Sequence, residues 1–124
     1  MSGARPKVLI VDDDADLREL MRMILATEDL DVVDASNGAE ALEAVVEHRP
    51  ALVLLDMTMP VMDGWGFARN LASTGVPRPR IVVVTAAESA AQRAREVSAD
   101  AWLAKPFEVD ELVKCVRRFA TRSE

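Results

Sequence analysis

Three short runs of uninterrupted aliphatic side chains dominate the sequence: VLIV at residues 8–11, LVLL at 52–55 and IVVV at 81–84. A strand with one face in water alternates polar and apolar residues, and these runs do not. Each therefore reads as a strand buried on both faces, the condition of a parallel sheet between two helical layers. Between the runs the period changes to that of a helix. Leu17, Leu20, Met21, Ile24 and Leu25 share one helical face behind Asp14, a suitable N-cap. Asn37-Gly38 opens a second helix with Ala39, Leu42, Val45 and Val46 facing inward, closed by Pro50. Gly64, Phe67, Ala68 and Leu71 mark a third, Ala90, Ala91, Ala94 and Val97 an alanine-rich fourth, and Val109, Leu112, Val113, Val116 and Ala120 a fifth. Two weaker strands, residues 31–35 and 101–104, complete five β-α units. The expected fold is α/β, a doubly wound five-stranded parallel sheet. Weak strands belong at sheet edges, and the flavodoxin-like order 2-1-3-4-5 places both there.

With 124 residues, half of them hydrophobic, the chain suits one domain without staples. One cysteine excludes an internal disulfide and a multi-cysteine zinc cluster, and points to a reducing, cytoplasmic setting. Cys115 itself reads as a small apolar helix residue. A net charge of −6 disfavours direct binding to nucleic acid or anionic membranes, and no apolar run approaches the about 20 residues of a membrane span. His48 is the only histidine and stands at a helix end before Pro50, a poor setting for a Ser-His-Asp triad.

The carboxyl ends of the expected strands carry the chemistry: Asp12-Asp13 after the first, Asp56 after the third, Thr85 after the fourth and Lys105 after the fifth. Ligands of open α/β sheets bind outside these ends, at the switch point between strands one and three. Three acids crowded together need a counter-charge, and a hard divalent cation such as Mg²⁺ supplies it through oxygen ligands. Lys105 adds a point charge for a phosphate and Thr85 a hydrogen bond. Together they describe a phosphoryl-transfer site. A carboxylate is already ionised at neutral pH and needs no base, and Asp56 is central, so Asp56 is the expected nucleophile.

The blocks VLIVDDD, LVLLDMTMPVMDGWG, VVVTA and AWLAKPF resemble those of bacterial two-component response-regulator receiver domains, in order and spacing, over most of the chain. The resemblance implies that Asp56 accepts a phosphoryl group from the phosphohistidine of a sensor kinase or histidine phosphotransfer protein. It implies Mg²⁺ on Asp13, Asp56 and the backbone carbonyl of Met57, with Asp12 acting largely through a metal-bound water. Lys105 would bridge to the phosphoryl oxygens and Thr85 would turn inward to bond one of them. A cis bond is implied before Pro106, and Gly64 opens the third helix behind the acceptor loop. The signal would leave through the face of the fourth helix, fifth strand and fifth helix to an unknown downstream target. Thr58 and Ala87 occupy positions that tune phosphoryl lifetime, and neither supplies a strong base. The chain departs from the usual pattern at Trp102, where receivers carry tyrosine or phenylalanine as a switch residue; the plainer reading is an aromatic packing an edge strand.

These readings predict a stand-alone, single receiver domain over residues 1–124 without an output domain, not a turnover enzyme. Two alternatives are a small aspartate-nucleophile phosphatase, suggested by Asp56-Met57-Thr58 but lacking the second aspartate of that motif, and a degenerate receiver serving as a scaffold. Asp14 and Asp16 read as a helix entrance. Gly64-Trp65-Gly66 fails as a dinucleotide loop, lacking the third glycine and the first-strand position. Lys114, Arg117, Arg118 and Arg122 complement the last helix's dipole. The thin apolar face of the fourth helix predicts an easily shifted element.

Overall fold

The computed structural model describes residues 5–120; Arg122 lies outside them. Five parallel strands form one sheet, β1 (Lys7–Val11), β2 (Asp31–Ala35), β3 (Leu52–Leu55), β4 (Arg80–Ala86) and β5 (Ala101–Lys105), in the order β2-β1-β3-β4-β5. Five helices connect and follow them: α1 (Ala15–Leu25), α2 (Gly38–His48), α3 (Gly64–Asn70), α4 (Ala90–Glu96) and α5 (Val109–Phe119). The two strands with weak apolar patterns are the edges, as expected.

Alternate residues of the central strands enter two separate cores. Leu9, Val11, Val53, Leu55, Ile81 and Val83 pack with Ala41, Val45, Phe67 and Ala94, under α2, α3 and α4. Val8, Ile10, Leu52, Leu54, Val82 and Val84 pack with Met21, Leu25, Leu112 and Val116, under α1 and α5. Each such aliphatic side chain contributes about 1.5–3 kcal/mol by leaving water. This double burial is what the uninterrupted runs encode.

Helix starts are set by local chemistry. Asp14 Oδ1 accepts the N–H groups of Asp16 and Leu17, Asn37 Oδ1 that of Glu40, and Asp63 Oδ1 that of Gly66. Glu108 and Glu111 form a capping box on α5. The glycines of Gly64-Trp65-Gly66 lie within α3, so this segment is a helix start.

The inward faces need four corrections. Leu20, Val46 and Val109 are exposed, and Ala41 rather than Ala39 joins Val45 in the buried face of α2. On α1 the buried residues are Met21 and Leu25, four apart. Leu20 lies about 100° around the helix from Met21 and points away from the sheet. Phe119 closes the α5 face, which the periodic reading had ended on smaller residues. The β4 strand also runs further than expected, so that Thr85 lies inside it.

The buried residues of α4 are small, Ala90 and Ala94, but the helix has a polar fastening. Trp65 Nε1 donates to Glu96 Oε1 at 2.8 Å, Arg93 donates to both Glu96 oxygens, and its guanidinium lies 5.2 Å from the Trp65 ring centroid. Trp65→Phe keeps an aromatic ring but removes the donor and part of the indole's packing. It is expected to lower the urea midpoint; an unchanged midpoint would show that the bond contributes nothing.

Candidate functional site

The first acid, Asp12, follows β1 directly and is held from three sides. Its N–H donates to the Ala35 carbonyl, its Oδ1 accepts the Asp14 N–H at 2.9 Å, and its Oδ2 accepts Lys105 Nζ at 2.9 Å. Its carbonyl accepts Arg18 Nη1 at 2.6 Å, and Arg18 also pairs with Asp34. Asp56 follows β3, and its N–H donates to the Val11 carbonyl, so ordinary parallel pairing of β1 with β3 sets the two acids side by side. Lys105 ends β5, with Nζ 3.8 Å from Asp56 Oδ1.

Asp12, Asp13 and Asp56 each present a carboxylate oxygen within 4.8 Å of the others. Asp12 and Asp56 are the buried charged side chains among the described residues, whereas Asp13 is exposed. Burial pushes the Asp56 carboxyl up from 3.8 to about 6; the Asp12 charge adds to this, while Lys105 and the Thr58 N–H oppose it. A carboxylate so placed retains its charge reluctantly, which is the electrostatic cost of the arrangement.

Three carboxylates against one ammonium leave two formal negative charges, the charge of one divalent cation. All donors are hard oxygens, so the residues fit Mg²⁺. Their hydrogen bonds also sort them. Both Asp12 oxygens are engaged, whereas the Asp13 carboxylate has no hydrogen bond or ion pair among the described residues. The Met57 carbonyl accepts the Gly64 N–H at 3.0 Å, which leaves its second lone pair.

Thr85 pairs in register with Ala104, one step before the pairing of Ala86 with Lys105, and its hydroxyl forms no hydrogen bond among the described residues. Trp102 is 53 % exposed on β5. The Lys105–Pro106 bond is cis. The Cys115 thiol is pushed by burial from 9.0 to about 11, as befits an inert packing residue. His48 ends α2. Sequence reasoning missed the direct Asp12–Lys105 ion pair and the Trp65–Glu96 fastening, because each joins residues far apart in sequence, and the Arg18 support, because a side chain reaching a backbone carbonyl six residues away leaves no periodic or motif signal.

Gly64 begins α3 against the segment that follows β3. A Cβ there would lie 2.6 Å from Met57 Sδ, 2.9 Å from the Asp56 carbonyl oxygen and 2.9 Å from Met57 Cα. Alanine's better helix propensity is worth at most about 1 kcal/mol. Overpacking against backbone costs about 1–3 kcal/mol, so the collision decides the sign. Gly64→Ala is expected to lower the urea midpoint; a raised midpoint would mean that the loop yields freely.

Comparison with known proteins agrees with this geometry. Residues 8–117 match the family described as response regulator receiver domain. The response regulator MprA of Mycobacterium sp. (strain KMS) is 39 % identical over 119 residues, covering 94 % of this chain and 51 % of that protein. The chain thus spans about half the length of the curated relatives it matches. Among solved structures, the chemotaxis protein CheY4 of Vibrio cholerae superposes with a TM-score of 0.80 at 31 % identity, over 94 % of this chain and 99 % of that one. The receiver domain of the Francisella response regulator 1452 gives a TM-score of 0.83 at 26 % identity, over 96 % and 99 %.

Proposed function

The chain belongs to the response regulator receiver family, and we propose that it is the phosphoacceptor switch of a two-component system, with Asp56 as the acceptor. The observation that carries the reading is the convergence of Asp12, Asp13, Asp56 and Lys105 at one end of the sheet. In the transfer, an Asp56 carboxylate oxygen forms a bond to phosphorus as the P–N bond to the donor imidazole breaks. The imidazole nitrogen keeps that electron pair and takes up a proton. Lys105 faces the charge that arrives, and Thr85 supplies a hydroxyl for one phosphoryl oxygen. Asp13, Asp56 and the Met57 carbonyl would hold Mg²⁺, with Asp12 contributing through water. When bound, the metal supplies neutralisation of the phosphoryl and carboxylate charges.

The donor is a histidine kinase or histidine phosphotransfer protein, and the output leaves through α4, β5 and α5, where Trp102 is exposed and positioned to act as the switch aromatic. No helix among the described residues is long and apolar enough to cross a membrane.

Incubation with Mg²⁺ and a small acyl phosphate, followed by intact mass measurement, tests the proposal. The expected result is a gain of one HPO₃, stable to acid and labile to base, that is absent in Asp56→Asn. Turnover of unrelated phosphomonoesters would instead assign a phosphatase. No modification and no Mg²⁺ binding would leave a scaffold.

A further inference from the structure

At the opposite end of the sheet, the amino ends of the strands line a cleft of about 660 Å³. We propose that this cleft binds a compact polyanion carrying several phosphoryl groups. Arg5, Lys7, Arg49, Arg78 and Arg80 all line it, against a single acid, Asp31, in a chain whose net charge is −6. Arg5 is spoken for, by Asp29 and Asp31 at 3.6 Å and by the Leu30 carbonyl at 2.8 Å. The other four cations form no ion pair among the described residues. Arg49 and Arg78 donate to backbone carbonyls, at Val46 and at Val97 and Ser98, which fixes their stems and leaves further N–H donors on each guanidinium.

Uncompensated like charges gathered in one concavity repel one another, and an anion relieves that repulsion. Three of these four cations are arginines, whose planar forks match phosphoryl oxygens in pairs. The cleft is also rigid. Four of the chain's six prolines, Pro6, Pro50, Pro77 and Pro79, line it beside the cations, so a ligand meets preset geometry. Arg49 is in the left-handed region, φ 48°, where glycine is the usual occupant.

The lining also selects among anions. Among the described residues its one aromatic ring is the half-buried imidazole of His48, and no phenylalanine, tyrosine or tryptophan lines it as a broad stacking platform for a nucleobase. Its aliphatic members, Val45, Ala51 and Val76, are buried or half-buried, so it lacks the protruding anchors of a protein interface. Charge is what remains. The competing reading is that these cations only complement the negative end of α2, which terminates here.

Titration of the metal-free protein with tripolyphosphate, followed by amide NMR, separates these readings. Saturable shifts should centre on Lys7, Arg49, Ala51 and Arg80, with a dissociation constant below about 1 mM. Lys7→Gln with Arg80→Gln should weaken binding about tenfold or more, and Arg69→Gln, an exposed cation elsewhere, should change it by less than about twofold. Arg80→Gln alone, at an exposed position, keeps the test intact should the double variant melt early. Absence of saturation, shifts centred on Lys105, or equal loss in Arg69→Gln would each overturn the proposal. Tighter binding of oligoglutamate than of tripolyphosphate would overturn it in favour of an acidic protein segment.

Discussion

Asp56→Asn is expected to make the metal-free protein more stable at neutral pH while abolishing phosphorylation. In the folded chain the Asp56 carboxyl is pushed from 3.8 to about 6, chiefly by burial and then by the Asp12 charge. A raised carboxyl pKa means that the folded state holds its proton more tightly than the unfolded chain. The penalty is therefore absent below about pH 4, grows between about 4 and 6, and is fully present above about 6. Its ceiling is about 3 kcal/mol. Asparagine fills the same volume, can still accept from the Thr58 N–H, and carries no charge. Urea unfolding of both proteins in EDTA across this range gives the test. The stability gap should be small at pH 4, favour Asp56→Asn increasingly up to pH 6, and then level off. A gap independent of pH would show that Asp56 is not destabilised by its surroundings. Added Mg²⁺ should stabilise the wild type more than the variant, as expected of an ion that would bind only the folded charge cluster.

Lys105→Met is expected to act in the opposite direction. It removes the only cation within ion-pair distance of Asp12 and Asp56 among the described residues. Breaking a buried pair costs about 3–5 kcal/mol. The Lys105 side chain is 29 % exposed and Asp12 is 4 % exposed, so water recovers part of this and about 2–3 kcal/mol is expected at pH 7.5. Because Lys105 lowers the Asp56 pKa, its removal pushes that carboxyl above about 6, and the destabilisation shrinks as pH falls and Asp56 protonates. In an Asp56→Asn background the loss should be smaller by about 1 kcal/mol, the signature of coupling through a shared cluster. Phosphorylation by the acyl phosphate should slow by about 10²-fold or more. Equal losses in the two backgrounds would show that Lys105 acts on Asp12 alone.

The two core faces illustrate where sequence reading succeeds and where it stops. The runs at residues 8–11, 52–55 and 81–84 could only be strands covered on both sides, and the weaker runs at β2 and β5 could only sit at edges. Asp14, Asn37 and the Pro50 break are local signals, acting within a few residues, and all three operate as read. Leu20, Val46 and Val109 were misplaced because hydrophobicity at roughly helical spacing does not say which edge of the stripe meets the sheet. That depends on the neighbouring elements.

The same division applies to the two ends of the sheet. Strand patterns and the chemistry of carboxylates, hydroxyl and lysine determined the fold class, the strand order and the residues gathered at the carboxyl ends, because each followed from period, residue type and position at a strand terminus. Only the tertiary structure decided that Lys105 bonds Asp12 directly, that Asp13 is the acid left without a partner among the described residues, and that burial raises the Asp56 pKa. It alone assembled the cations beside Pro6, Pro50 and Pro79 into one cleft. Desolvation and ion pairing depend on distances between segments far apart in the chain, and those distances exist only once the sheet has formed.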